Sequence, residues 1–471
     1  MNDLAPDPHP PTSARTHGAT MSIAHSPRRH PRLARTAAAA ALSLSLLSIP
    51  TAASATTVTS PAPLRTAATD TPDLAATSRQ PHRSPALDDE ALKKSLQAFH
   101  DAGMYGAYSA VRDGSDTWRG AVGVADVDTG RPTSAQMEHR IGSITKTFTA
   151  VAVLQEVGKG RIDLDAPIGR YLPDLVTGER GRTITVRMLL NHTSGIGEYS
   201  GAVFNTADSF EGNRYRQFAP EELARLGIAA PPFGRPGQGF HYSNTNYVLA
   251  GLLLRKVTGQ SPESYVTRHV IRKAGLRHTY FPQSATISGP HAKMYEAAYG
   301  GFNPPRDFSV YNMSWAATAG SLISTMPDLN RFYRALLGGE LLAPAELRQM
   351  KTTVPIEGSF MRYGLGLLQT TSACGDFWGH NGLVLGAMTW SLSSPDGRRQ
   401  VSLGFNLTRY QKLDANNQPV TSPIDDAMND YIAQAACGTA KSTAPGAASQ
   451  RPLTASAPND QVLTSPQHPT R

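Results

Sequence analysis

Two stretches near opposite ends of the chain alternate apolar and polar positions, and a helical period fills the region between them. Residues 107–126 hold two strand-length runs around Asp113-Gly114, a dipeptide suited to a tight turn, so a hairpin is predicted there. Near the other end Met388, Trp390 and Leu392 alternate, Pro395-Asp396-Gly397 turns the chain, and Val401, Leu403 and Phe405 alternate back. From 143 to about 340 the spacing changes to three and four. Phe148, Val151 and Leu154 run toward Gly158-Lys-Gly160, and Val248, Leu249, Leu252 and Leu253 run toward Gly259. Strands contributed by both ends of the chain, with helices between, predict an α+β fold: one antiparallel β-sheet closed by its terminal segments, plus a mostly helical lobe.

The flanks read differently. Arg28, Arg29, Arg32 and Arg35 precede an apolar run at 37–49, and Ala53-Ser54-Ala55 offers a cleavage site, so residues 1–55 are expected to be an export signal peptide. Met21 would give that leader a more ordinary length. The run has 13 residues and three serines, too short and polar for a transmembrane anchor, and no other run reaches that length. Residues 56–90, rich in Thr, Ala, Pro and Ser, are expected to be a disordered linker, and 439–471 a disordered tail, leaving a single domain over 91–438. A secreted location follows, and nothing in the sequence calls for more than a monomer.

These boundaries change the meaning of the charge. The whole chain carries +8, but only +2 belongs to residues 87–438. So near-neutral a body has no basic footprint for nucleic acid. The two cysteines exclude a Cys-based zinc module. In an exported protein Cys374 and Cys437 are expected to form a disulfide tying the terminal helix to the sheet, the alternative being two separate buried thiols.

Three short patterns carry candidate chemistry: Ser143-Ile-Thr-Lys146, Tyr242-Ser-Asn244 and His380-Asn-Gly382. Each is weak alone. Ser143 opens a predicted helix, and a spacing of three places Lys146 on the same face. As a helix cap, Ser143 would want Glu or Gln at 146; a lysine in the first turn opposes the helix dipole. A buried lysine has a lowered pKa, and neutral it can take the proton of Ser143. Tyr242 and Asn244 open another predicted helix, either as a core tyrosine and an N-cap or as a proton shuttle and a positioning group. His380 stands before a strand predicted to begin near Leu383, either as an ordinary hydrogen-bonded histidine or at a cleft edge where Gly382 lets substrate approach the backbone. No second histidine or carboxylate sits at ligand spacing, so no metal is expected.

Together the three patterns resemble the active-site-serine, penicillin-recognising hydrolases: D-alanyl-D-alanine carboxypeptidases, class C β-lactamases and related esterases. The match looks closest to the secreted actinomycete DD-carboxypeptidases. It extends through Ile184-Thr-Val-Arg-Met-Leu-Leu-Asn-His-Thr-Ser-Gly195, Ser314-Trp-Ala-Ala-Thr-Ala-Gly320 and Tyr363-Gly-Leu-Gly-Leu367, and it covers about 91–438, the cysteine pair included. The resemblance implies an antiparallel sheet flanked by N- and C-terminal helices beside the helical lobe. It implies Ser143 as acylated nucleophile, Lys146 as its proton acceptor and Tyr242 as the shuttle to the leaving group. Asn244 would orient substrate and Lys146, Trp315 would stand at the cleft rim, and His380, Asn381 and Gly382 would line the opposite wall. The backbone N–H groups of Ser143 and Leu383 would form the oxyanion hole. No cofactor is implied.

The sequence departs from the carboxypeptidases where they read substrate. They carry an arginine for the terminal carboxylate after the Tyr-Gly-Leu-Gly-Leu run, and here it is Leu368. Asn381 replaces their threonine, Leu383 and Leu385 replace polar residues, and no Lys or Arg occurs from Tyr363 to Trp390. A D-Ala-D-Ala carboxypeptidase acting on peptidoglycan stem peptides is the leading expectation. An esterase or amidase with uncharged substrates, or a β-lactamase, is the alternative, and a non-catalytic cell-wall peptide binder conflicts with the complete set of Ser143, Lys146, Tyr242 and His380. No G-x-S-x-G, H-E-x-x-H or P-loop offers a competing mechanism.

Overall fold

The structure is a computed structural model that describes residues 87–438, Ala373 excepted. The leader expected at 1–55, nearly all of the 56–90 linker and the 439–471 tail lie outside the described residues. A helix spans Asp89–Asp101, capped by the Asp88 carboxylate, which accepts the Ala91 N–H at 2.9 Å. The first helix thus starts inside the segment expected to be linker.

The two alternating regions meet as predicted. Gly106–Asp113 and Asp116–Asp126 form the hairpin, and Gly106–Asp113 pairs on its other side with Arg399–Phe405, Val111 facing Val401. The first and last long strands are therefore neighbours inside one nine-stranded antiparallel sheet. It continues through Ala387–Ser393, Gly375–Val384, Leu368–Ser372, Arg362–Tyr363 and Val354–Pro355 at one side, and ends at Arg131–Pro132 on the other.

Period-two alternation gives the central strands two faces. Val111, Trp390, Leu392, Val401, Leu403 and Phe405 pack beneath Leu92, Leu96 and Phe99 of the first helix and Met428, Tyr431 and Ile432 of the last, Pro423–Cys437. Phe99 meets Phe405 edge-on at 5.3 Å between ring centroids. Tyr108 and Ala110 face the other way, into the larger core of the helical lobe. Thr145–Gly158 runs through that core. Every residue from 145 to 154 is buried, so the helix lacks the solvent face of an amphipathic one. Its threonines remain satisfied there: Thr147 and Thr149 donate to the carbonyls of Gly366 and Thr318, each at 2.8 Å.

One strand differs from expectation. It begins at Gly375, not near Leu383, because 375–379 already pair with Leu368–Ser372. The His380-Asn-Gly382 pattern therefore lies inside the strand. Beyond Gly379 the Leu368–Ser372 strand no longer follows, and the strand is held by Ala387–Ser393 alone among the described strands. Cys374 and Cys437 form a disulfide with 5.6 Å between Cα atoms, tying the last helix to the turn ahead of this strand. No helix among the described residues is long and apolar enough to cross a membrane.

Candidate active site

Ser143 sits in a single 3-10 turn, Gly142–Ile144, that leads into Thr145–Gly158. It makes no capping bond to either element, which removes the N-cap reading. Its Oγ lies 3.0 Å from Lys146 Nζ. Nζ also lies 2.7 Å from Asn244 Oδ1 and 2.8 Å from the Ala319 carbonyl. Lys146 is fully buried, and that burial pulls its pKa down to about 7, with the Glu198 carboxylate opposing the shift. A neutral amine has two N–H groups and one lone pair. The Asn244 and Ala319 oxygens take both N–H groups, which leaves the lone pair for the Ser143 hydroxyl.

Tyr242 and Asn244 are set by a loop that the site expectations left out. Ser243, not Asn244, is the N-cap of the helix Asn244–Thr258, so the side chain of Asn244 is free to reach Lys146. Residues 192–198 hold this segment at each position. The His192 carbonyl accepts the His241 N–H at 2.8 Å, and the Gly197 carbonyl accepts Ser243 Oγ at 2.9 Å and Thr245 Oγ1 at 2.7 Å. Glu198 Oε2 accepts the Asn244 N–H at 2.5 Å. The His192 ring stacks on Tyr242 with 4.2 Å between centroids, while Lys146 Nζ stands 4.9 Å from the centre of the Tyr242 ring. The only sequence signal for His192 and Glu198 is their place in and just after the 184–195 run, which by itself assigns them no task.

The strand side corrects three expectations. His380 is outside the lining of the cavity beside Ser143: it is fully buried, as an ordinary hydrogen-bonded histidine would be, and burial takes its pKa down to about 3. Its Nδ1 donates to the Asn381 carbonyl at 2.5 Å, and its Nε2 accepts from the Tyr363 hydroxyl at 2.8 Å. Asn381 is likewise fully buried, in register with Trp390 and outside the cavity beside Ser143. Gly382 serves a close approach, but to the nucleophile's own segment. A Cβ there would meet the Ile141 carbonyl at 1.9 Å and the Ser143 N at 2.8 Å. In return, a Cβ on Gly142, whose φ of 51° already favours glycine, would meet the Leu383 N at 2.8 Å. Two glycines thus let the 141–143 and 382–383 backbones lie against each other, with the Ser143 and Leu383 N atoms at the contact.

Leu368 lies 2% exposed in an apolar cluster with Tyr242, Met361 and Tyr363, against which Phe240 and Phe360 pack. Beside Ser143, Trp315, Tyr199, Asn244, Leu383 and Arg409 line a small cavity of about 20 Å³. Trp315 is a wall more than a rim: it is buried, and its carbonyl accepts the Tyr199 hydroxyl at 2.6 Å. Arg409 is committed to buried Glu296 at 2.7 Å. Among the described residues no three His, Cys, Asp or Glu side chains gather as a metal-binding group.

Comparison with known proteins shows the family and the fold. A family profile described as Beta-lactamase matches residues 89–418. An esterase of Burkholderia gladioli, Esterase EstB, is 35% identical over 194 residues, which is 39% of this chain and 49% of the esterase. The chain spans about half the length of the curated relatives it matches. A D-stereospecific amidohydrolase from Streptomyces sp. superposes with a TM-score of 0.66 at 36% identity, covering 75% of this chain and 100% of the other. D-amino acid amidase from Ochrobactrum anthropi SV3, solved with L-phenylalanine amide, gives 0.64 at 25% identity over 74% of this chain and 97% of its own.

Proposed function

The chain belongs to the beta-lactamase family, and from that premise we propose that it hydrolyses esters or amides through an acyl-enzyme on Ser143. The observation that carries the reading is the Lys146 amine, buried, near neutral in pKa and within 3.0 Å of Ser143 Oγ. Lys146 takes the hydroxyl proton as Oγ bonds to the substrate carbonyl carbon. The resulting oxyanion is held by the Ser143 and Leu383 N–H groups. Tyr242 relays the proton to the leaving nitrogen or oxygen as its bond to the acyl carbon breaks. Water then attacks the acyl-enzyme, gives its proton back along the same route, and Ser143 is restored.

The preferred substrates are amides or esters whose leaving group bears no carboxylate, in particular amino acid amides. Leu368, buried in an apolar cluster, stands where the carboxypeptidases that the chain resembles carry the arginine for a peptide carboxylate, and Arg409 is already paired. Glu198 puts a carboxylate near Lys146, which suits a substrate ammonium group. A D-Ala-D-Ala carboxypeptidase has the same bond-breaking groups but lacks this fit. We also propose that the chain is exported by its first 55 residues and acts as a monomer outside the cytoplasm, which gel filtration of the secreted protein checks.

The test compares a D-amino acid amide, a p-nitrophenyl ester and an acyl-D-Ala-D-Ala peptide, with intact mass recorded after benzylpenicillin. Turnover of amide and ester well above the peptide, with any penicilloyl adduct lost in Ser143→Ala, is expected. Efficient cleavage of the peptide alone overturns the substrate assignment.

A further inference from the structure

We infer that His192 is a positioning residue for the reaction, fixing Tyr242 over Lys146 through both its ring and its backbone; this rests on the proton-shuttle reading of Tyr242 above. His192 touches no reacting atom in that scheme. Its ring is enclosed by four aromatic neighbours: Tyr242 stacked at 4.2 Å, Tyr363 edge-on at 4.9 Å, Tyr247 tilted at 5.3 Å and Phe240 edge-on at 5.7 Å. Tyr242 therefore has Lys146 Nζ over its ring and the flat His192 imidazole stacked on it.

The ring itself cannot turn freely. Nδ1 lies 3.2 Å from the Ser243 N–H and 3.2 Å from Asn246 Nδ2. The Asn246 amide is oriented by Ser194 Oγ, which donates to its Oδ1 at 2.6 Å, so Nδ2 points at His192. Two donors meeting at Nδ1 require an unprotonated acceptor there, which fixes the Nε2–H tautomer. The charged or titratable groups facing the ring are Lys146 from the nucleophile helix and His380 from the strand, with the hydroxyls of Tyr242, Tyr247 and Tyr363 around it. A proton on His192 would set a second cation beside Lys146 and two donors against an N–H. Burial holds it neutral in any case.

The backbone supports the same purpose. His192 adopts φ 60°, a left-handed conformation costly for a residue other than glycine. Asn191 Oδ1 secures the bend by accepting the Thr193 N–H at 3.2 Å and its hydroxyl at 2.7 Å. The bend turns the His192 carbonyl to the His241 N–H, next to Tyr242. A flat ring for stacking combined with an acceptor for two N–H groups is a pairing that phenylalanine or asparagine supplies only in half.

The experiment is a double-mutant cycle on ester hydrolysis with His192→Asn and Tyr242→Phe, alone and combined. Asparagine tolerates the left-handed backbone and keeps an acceptor while removing the ring. His192→Asn is expected to lower kcat by about 10²-fold, the scale of a misplaced catalytic group, with KM changed by no more than about threefold. In the Tyr242→Phe background it should cost almost nothing further, because both changes act through one group. An equal loss in both backgrounds, or a loss confined to KM, overturns the inference. Full activity of Tyr242→Phe overturns the shuttle reading and this inference with it; full activity of Ser143→Ala sinks the acyl-enzyme reading separately. Should His192→Asn not fold, ¹⁵N spectra of histidine-labelled wild-type protein decide. A neutral Nε2–H ring that titrates well below the ordinary histidine value of about 6.5 is expected, and titration near that value overturns the inference.

Discussion

The two sides of the cleft are built on opposite terms. On the helix side the proposed reacting groups are held by directed polar contacts: Lys146 has three oxygen neighbours, and Asn244 is gripped at its side chain by Lys146 and at its N–H by Glu198. On the strand side Leu368, Met361 and Tyr363 form an apolar cluster around the ring of Tyr242. Bond breaking needs a proton acceptor, a relay and aimed donors in one arrangement, so that side has few solutions. Substrate recognition has as many solutions as there are substrates, and here the strand side presents Leu368 in an apolar cluster. Tyr242 belongs to both sides, its backbone set by the polar loop and its ring by the apolar cluster.

The sharpest way to break this contrast is to remove the nucleophile. Ser143→Ala should lower kcat on an ester by about 10³-fold or more with the fold unchanged, and a loss below tenfold would mean the polar side is not the machinery. Acid should act next. Because only neutral Lys146 accepts a proton, log(kcat/KM) should climb with pH at unit slope until about pH 7 and then level. Glu198→Gln removes the carboxylate that favours the charged amine, so this limb should move to lower pH; a shift to higher pH would contradict the assigned sign.

Changing the apolar side should alter preference more than power. Leu368→Arg should raise the peptide-to-amide ratio of kcat/KM by about tenfold, the scale of one charge-assisted bond. It should also lower Tm, since the new charge enters a buried apolar cluster. An unchanged ratio would show that Leu368 does not face the leaving group. The smallest effect on activity is expected from Cys437→Ala. The crosslink closes 63 residues and contributes about 4 kcal/mol in the chain-entropy picture. Thermal unfolding should register its loss, while ester turnover at 25 °C stays within about twofold of wild type, the bond lying at the terminal-helix face.

Local features were the most legible in the sequence, and features whose position depends on another segment the least. Asp113-Gly114 marked a hairpin that forms, and Val401, Leu403 and Phe405 marked one face of a strand that packs as a face should. His380 was expected either at a cleft edge or as an ordinary hydrogen-bonded histidine at a strand end; the strand starts earlier, paired with Leu368–Ser372, and His380 is buried and hydrogen-bonded within it. Gly382 was expected to admit substrate, and instead admits the Gly142–Ile144 turn.

By itself, the sequence determined which residues can do chemistry and which segments alternate or repeat with a helical period. Side-chain type and short spacing decide those properties: Ser143 and Lys146 share a helix turn whatever lies around them. Only the tertiary structure decided that Lys146 is fully buried beside Asn244 and the Ala319 carbonyl, 98 and 173 residues away along the chain. It also decided that His192 and Glu198 anchor the Tyr242–Asn244 segment, and that the backbones at Gly142 and Gly382 lie against each other. The physical reason is that a pKa, a tautomer and a close backbone approach arise from desolvation and from groups brought together across long loops, and no spacing within one segment encodes either.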